Sequence, residues 1–203
     1  MRLLGLTGGV GMGKSACAQF LRARGIPVSD TDDLAREIVE PGQPALTEVQ
    51  RLFGPEIVGA DGRLRRDVLA RRVFANPEDR KQLEAILHPR IRQLWRAQVE
   101  SWRTQGFRIG VVAIPLLFET GAEQELDVVI CTACLSATQS ARLQARGWPP
   151  EQIQQRIRAQ WPIEEKMAKA NFVIWTEPTL EIHAAQLDRI LASSQPAAEH
   201  PIG

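Results

Sequence analysis

Short apolar runs alternate along this chain with stretches whose apolar positions recur every three or four residues. Leu3 to Thr7 reads as a buried strand, and Lys14 to Arg24 as a helix ended by Gly25. Ile26 to Ser29 is a second short strand. Helical periods follow over Asp32–Val39, Gln43–Phe53 and Asp67–Phe74, then a long one over Glu78–Thr104. The long period carries Leu83, Leu87, Ile91, Leu94 and Trp102 on one stripe, and Pro89 inside it predicts a kink. Arg108–Ile114 is apolar throughout, as a central parallel strand requires. Leu126–Thr132 and Phe172–Trp175 are the fourth and fifth strands, with a helix over Ala137–Arg146 between them. Pro149–Lys169 is polar, glutamine-rich and helical, interrupted at Pro162. Thr179–Ala192 is the closing helix, and the tail Ser193–Gly203 is expected to fray.

Strands alternating with helices predict an α/β fold: a five-stranded parallel sheet flanked by helices. Two segments exceed a minimal βα repeat. They are a helical insert at about 43–105 and the polar segment at 149–169, which stand where substrate domains and lids sit. The core is then about 1–42, 106–148 and 170–192.

Gly8-Gly-Val-Gly-Met-Gly13-Lys14-Ser15 matches the phosphate-loop pattern G-x-x-x-x-G-K-[ST] at every fixed position, between an apolar strand and a helix. Glycines let the backbone curl so that successive N–H groups face one anion, and the helix N-terminus adds its partial positive charge. Lys14 can reach the β- and γ-phosphates of a nucleoside triphosphate, and the Ser15 hydroxyl can ligate Mg²⁺. GTPase signs are absent: there is no Asn-Lys-x-Asp. The predicted architecture is a P-loop NTPase core with a helical substrate-binding insert and a helical lid.

Asp30-Thr-Asp32-Asp33 follows the second strand, at the edge where ligands of open α/β sheets sit. One of these carboxylates could orient an acceptor hydroxyl and another a water on the magnesium. The same residues would also make a good N-cap for the next helix, and both roles can coexist.

Net charge is +1, which draws the chain to neither nucleic acid nor membrane, and 44% hydrophobic with 24% charged residues is an ordinary globular balance. The basic charge is uneven. Arg63 to Arg103 holds 11 Lys and Arg against 5 Asp and Glu, and Arg142 to Lys169 holds 6 against 3. Either excess is a solvated helix face or an anion site. The N-terminal residues run straight into the glycine loop, leaving no room for a signal peptide, and the longest apolar run is far short of a membrane span. The three cysteines include Cys131-Thr-Ala-Cys134, a single pair that does not make a zinc site and reads as structural. A reducing cytoplasm fits them. No obligate protein partner is evident.

Several of these segments together resemble one family, the dephospho-coenzyme A kinases, over about Arg2 to Leu191. They are Leu6 to Ser15, Asp30-Thr-Asp32, Ala35-Arg36, Glu40-Pro-Gly42, Leu87-His88-Pro89 and Ile114-Pro-Leu-Leu-Phe-Glu119. Gln139, Arg142-Leu143, Arg146, Arg156-Ile157, Gln160 and Lys166 resemble the family's lid. The resemblance implies ATP-dependent phosphorylation of the ribose 3′-hydroxyl of dephospho-coenzyme A. It implies ATP contacts from Gly9, Val10, Gly11, Met12, Gly13, Lys14, Ser15 and Ala16, with Arg142 and Arg146 closing over the triphosphate. Asp32 would orient or deprotonate the hydroxyl. Arg36, His88, Pro115, Leu116, Leu117, Phe118 and Glu119 would face the substrate. The catalytic set is then Asp32, Lys14 and Arg142. One departure stands out. Ala170-Asn171-Phe-Val-Ile-Trp175-Thr176 has Asn171 and Thr176 where the family usually has Asp and Asn.

Overall fold

The computed structural model describes residues 1–177 and 179–194. Five strands form one sheet: β1 (Arg2–Gly8), β2 (Val28–Asp30), β3 (Ile109–Ala113), β4 (Val128–Ala133) and β5 (Phe172–Trp175), in the order β2-β3-β1-β4-β5. β1 lies parallel to both β3 and β4, and β4 is parallel to β5. In register, Leu4 faces Val111 on one side and Val128 on the other. β1 is thus covered on both edges and, beyond its first residue, buried along its length, which is why it reads as a continuous apolar run rather than an alternating one.

The helices are α1 (Lys14–Ala23), α2 (Thr31–Glu37), α3 (Pro44–Phe53), α4 (Arg66–Ala75), α5 (Pro77–Thr104), α6 (Ser136–Ala145), α7 (Pro150–Arg158), α8 (Ile163–Lys169) and α9 (Leu180–Ser194). Short 3₁₀ turns at Pro55–Ile57 and Ala122–Glu125 were not foreseen from the pattern. Their three or four residues are too few to show a period.

The chain divides into two compact units. The first joins Met1–Ser29 to the chain from Ser101 onward. Its core packs Leu4, Leu6, Val111, Val128 and Ile130 of the sheet against Leu21 of α1 and Leu187, Ile190 and Leu191 of α9. Each such side chain, taken fully from water, is worth about 1.5–3 kcal/mol. Gly110 in β3 leaves room for Trp102, since a Cβ there would lie 2.7 Å from the indole.

The second unit is Asp30–Glu100. It begins earlier than the insert expected at 43, and the reason is local. Ile38 and Val39, directly after α2, bury with Ala45 and Leu46 of α3 and against Leu87, Ile91 and Leu94 of α5. A second cluster gathers Val49, Phe53, Ile57, Leu69 and Val73. The basic stretch is interleaved here with carboxylates: Arg72 with Asp79 at 2.9 Å, and Arg80 with Glu84 at 2.8 Å. α5 continues through Pro89, so the missing N–H does not end the helix.

Most element bounds differ from expectation by one or two residues: β4 starts at Val128 and not Leu126, and α2 ends at Glu37 and not Val39. β2 starts two residues later than its apolar run. α9 extends through Ser193 and Ser194, which the sequence had assigned to a frayed tail. Ser194 is 1% exposed, and its carbonyl accepts from Arg2 Nη1 at 3.0 Å. The remainder of that tail, 195–203, lies outside the described residues. Among the described residues no helix is long and apolar enough to cross a membrane.

Candidate active site

The loop between β1 and α1 is curled by its glycines. Gly11 and Gly13 have φ of 77° and 90°, the left-handed region that L side chains avoid. They are also crowded. A Cβ on Gly11 would meet Leu143 Cγ at 2.9 Å, and one on Gly13 would meet Thr176 Cγ2 at 2.8 Å. Met12 N donates to Gly9 O at 3.1 Å, closing the curl. Gly13 is the N-cap of α1 and offers no side-chain cap, so the helix presents its leading N–H groups to whatever anion sits in the loop. Lys14 and Ser15 are the first two residues of that helix, with Ala16 after them, and Ser15 is exposed.

The curl is held from three places in the same unit. Gln139 Nε2 donates to Val10 O at 2.8 Å, and Val10 N donates to Gln160 Oε1 at 3.0 Å. Thr176, 3% exposed, donates its hydroxyl to Met12 O at 3.4 Å and accepts from Arg142 Nη1 at 2.9 Å. Arg142 Nη2 also donates to Thr176 O at 2.6 Å. The arginine offered by the sequence as a triphosphate ligand therefore reaches the loop through Thr176. Arg146, at the end of α6, is exposed. Glu177 fixes that helix at its other end: Oε1 accepts from Leu135 N at 2.6 Å and Oε2 from Thr138 Oγ1 at 2.9 Å.

After β3, Pro115 to Glu119 turns over the sheet end. Pro115 O accepts from Lys166 Nζ at 2.7 Å and from Thr7 Oγ1 at 3.3 Å. Leu116 is half-buried. Leu117 is fully buried beside β1, where Gly5 leaves it room. Phe118 is buried and stacks on Trp161, with ring centroids 6.4 Å apart and planes 15° off parallel, and Lys169 Nζ lies 5.7 Å above the Phe118 ring. Glu119 Oε1 accepts from both Lys166 Nζ at 2.7 Å and Trp161 N at 2.9 Å. Of the candidate substrate residues here, Leu117 and Glu119 thus have evident structural work.

The other candidates belong to the second unit. Asp30 caps α2, its Oδ1 accepting from Asp32 N at 3.0 Å. Asp32 itself is exposed in the first turn. Arg36 is exposed, pairs with Asp33 at 3.0 Å, and its carbonyl accepts from Arg66 at 3.2 Å. His88 is half-buried on α5. Burial pulls its pKa below the ordinary histidine value, with Glu84 opposing and Arg80 reinforcing the shift.

Sequence reasoning did not assign the loop-holding work of Thr176, Gln139 and Gln160. The signal lay in the departure at Thr176 and in the quoted lid residues. At the other departure, Asn171 Oδ1 accepts from Val129 N at 2.8 Å, so this amide anchors the start of β5 to β4. The cysteines are buried, and burial pushes the thiols of Cys17 and Cys131 up to about 12. Among the described residues no group of three or more His, Cys, Asp or Glu side chains is placed to hold a metal ion.

The sequence profile of the family described as dephospho-CoA kinase matches residues 2–181. A curated dephospho-CoA kinase from Anaeromyxobacter dehalogenans is 45% identical over 193 residues, covering 95% of this chain and 92% of its own. A solved structure of a protein from Thermus thermophilus is 38% identical, with a TM-score of 0.82 over 96% of this chain and 98% of its own. The dephospho-CoA kinase structure from Campylobacter jejuni, 24% identical, shares the fold at a TM-score of 0.69 over 95% of this chain and 97% of its own.

Proposed function

The chain belongs to the dephospho-CoA kinase family, and from that premise we propose that it transfers the γ-phosphoryl group of ATP to the ribose 3′-hydroxyl of dephospho-coenzyme A, giving coenzyme A and ADP. The observation that carries this reading is the phosphate loop, complete in sequence and curled at Gly11 and Gly13 into the first turn of α1. Phosphoryl transfer passes through a loose transition state in which catalysis is positioning plus charge stabilisation. On this reading the loop from Gly9 to Ala16 wraps the triphosphate with those of its backbone N–H groups that Gly9 O and Gln160 do not take up, and Lys14 carries positive charge to its β- and γ-oxygens. Arg142 and Arg146 add charge from α6.

Asp32 is the carboxylate that orients the 3′-hydroxyl and takes its proton. It is exposed in the first turn of α2, one turn before Arg36. Arg36, His88 and the Pro115–Glu119 segment receive the rest of dephospho-coenzyme A. The helices of about 43–105 form the substrate insert, and 149–169 the lid.

Magnesium would be held by Ser15 Oγ together with phosphate oxygens. An exposed hydroxyl on the first turn after the loop suits an ion that takes few protein ligands and keeps several waters. When bound, the ion neutralises charge developing on the bridging oxygens. Three buried, free cysteines suit a reducing cytoplasm.

Coupled ADP release tests the reading, with Mg²⁺–ATP and dephospho-coenzyme A beside adenosine, AMP and shikimate. Turnover with dephospho-coenzyme A alone is expected. Turnover with a control only would leave a kinase of another acceptor, and acceptor-independent hydrolysis alone would remove the transfer.

A further inference from the structure

The crest of the phosphate loop is held in a way the loop's own residues cannot supply. Gly9 and Gly11, which flank Val10, have no side chains to brace it. Yet both polar groups of the Val10 residue are met by glutamines from elsewhere, its carbonyl by Gln139 at 2.8 Å and its N–H by Gln160 at 3.0 Å. The amide orientations follow from the backbone, because a carbonyl needs a donor and an N–H an acceptor.

The two glutamines stand on different supports. Gln139 is 5% exposed on α6, a helix whose start is held by Glu177 and whose Leu143 is fully buried. Gln160 lies between α7 and α8. The chain on its C-terminal side is docked by Trp161 N on Glu119, by the Phe118–Trp161 stack, and by Lys166 on Pro115 and Glu119. Glycine-rich backbone loses the most conformational freedom on ordering. A bond that orders it beforehand therefore strengthens anion binding without touching the anion.

We propose that Gln160 is a positioning residue for the phosphate loop: by accepting from Val10 N–H it ties the loop's binding curl to the docked state of segment 149–169. Ordering of either one then favours ordering of the other. The proposal rests on the reading of this loop as the ATP site.

The test compares Gln160→Met and Gln139→Met with the unaltered full chain. The readouts are equilibrium titration with Mg²⁺–ATP without acceptor, steady-state kinetics, and amide exchange across 149–169. Each variant removes one bond to Val10, so each should weaken ATP binding and raise the KM for ATP about two- to tenfold, with kcat changing less. Only Gln160→Met should speed amide exchange in α7 and α8. Unchanged or tighter ATP binding in Gln160→Met would overturn the proposal, as would equal exchange in the two variants. An unaltered chain that fails to bind ATP would sink the reading of the loop as well. A chain that binds ATP normally beside a Gln160→Met variant at parity would sink this inference alone.

Discussion

Loss of the Lys166 side chain is costly in this fold, although nothing in its neighbourhood along the chain announces that. It is 0% exposed, and its Nζ donates to Pro115 O and Glu119 Oε1, both at 2.7 Å. Replacing it by methionine keeps the length and most of the volume but strips the positive charge from Glu119, whose side chain is only 15% exposed. Breaking a buried pair from one side costs about 3–5 kcal/mol, because the remaining charge stays desolvated. Trp161 N still donates to Glu119 Oε1 after the change, which argues for the lower end, about 3 kcal/mol. For a chain of this size each kcal/mol lowers Tm by about 2–4 °C, so Lys166→Met should melt about 6–12 °C below the unaltered protein. Differential scanning calorimetry of the full chain measures this. Adding Glu119→Gln removes the orphaned charge and leaves an acceptor for Trp161 N, so the double variant should regain at least about half of the loss. A Tm for Lys166→Met within about 2 °C of the unaltered protein would refute the reasoning. So would a double variant less stable than the single one.

Gly13→Ala should weaken ATP binding about tenfold or more by titration, since an L residue at this φ costs about 1–2 kcal/mol and its Cβ would meet Thr176 Cγ2 at 2.8 Å. Thr176→Ser removes that methyl and should restore part of the loss, whereas normal binding by Gly13→Ala would contradict the geometry. Asp32→Asn should keep ATP binding and lose about 10²–10⁴-fold in kcat, as expected for loss of a general base, and unchanged turnover would remove Asp32 from the chemistry. Burial holds both His88 and His183 below the usual histidine pKa, with Arg142 reinforcing the shift at His183. Below the unfolded value of 6.5 the unfolded chain binds these protons first. Stability should therefore be fully present above that pH and decline as pH falls towards the lower folded values. Urea unfolding between pH 7.5 and pH 5 should show this decline, and replacing both histidines by glutamine should flatten it; an unchanged slope would rule the histidines out as its source.

The parts of this fold that were readable are those in which local pattern and tertiary role coincide. β1, β3 and β4 are buried strands, so their apolar runs needed no partner to be recognised. The phosphate loop was readable because its glycines serve a backbone conformation, with Gly11 and Gly13 at positive φ. The helices of the second unit were readable because Leu87, Ile91 and Leu94 face one apolar cluster at helical spacing. Where local and tertiary roles separate, the reading stopped. Lys166 lies beside Glu164, Glu165 and Lys169, and by pattern is one more charge on a solvated helix, while the fold makes it the buried cation under Pro115.

Thr176 carries the same lesson into the site. As a residue type it departs from the family pattern, which usually has Asn there. Its position gives a different account. Its hydroxyl spans Met12 O and Arg142 Nη1, and its methyl fills the space that Gly13 leaves open. A threonine can do both because it combines a hydroxyl with a branch at Cβ. Serine would keep the bonds and lose the fill; valine would keep the fill and lose the bonds. The departure and the last glycine of the motif are therefore two sides of one contact, in which the absence of a side chain at Gly13 is matched by the one present at Thr176. Alignment by residue type alone scores the first as a mismatch and the second as a match, and neither score records that the two meet.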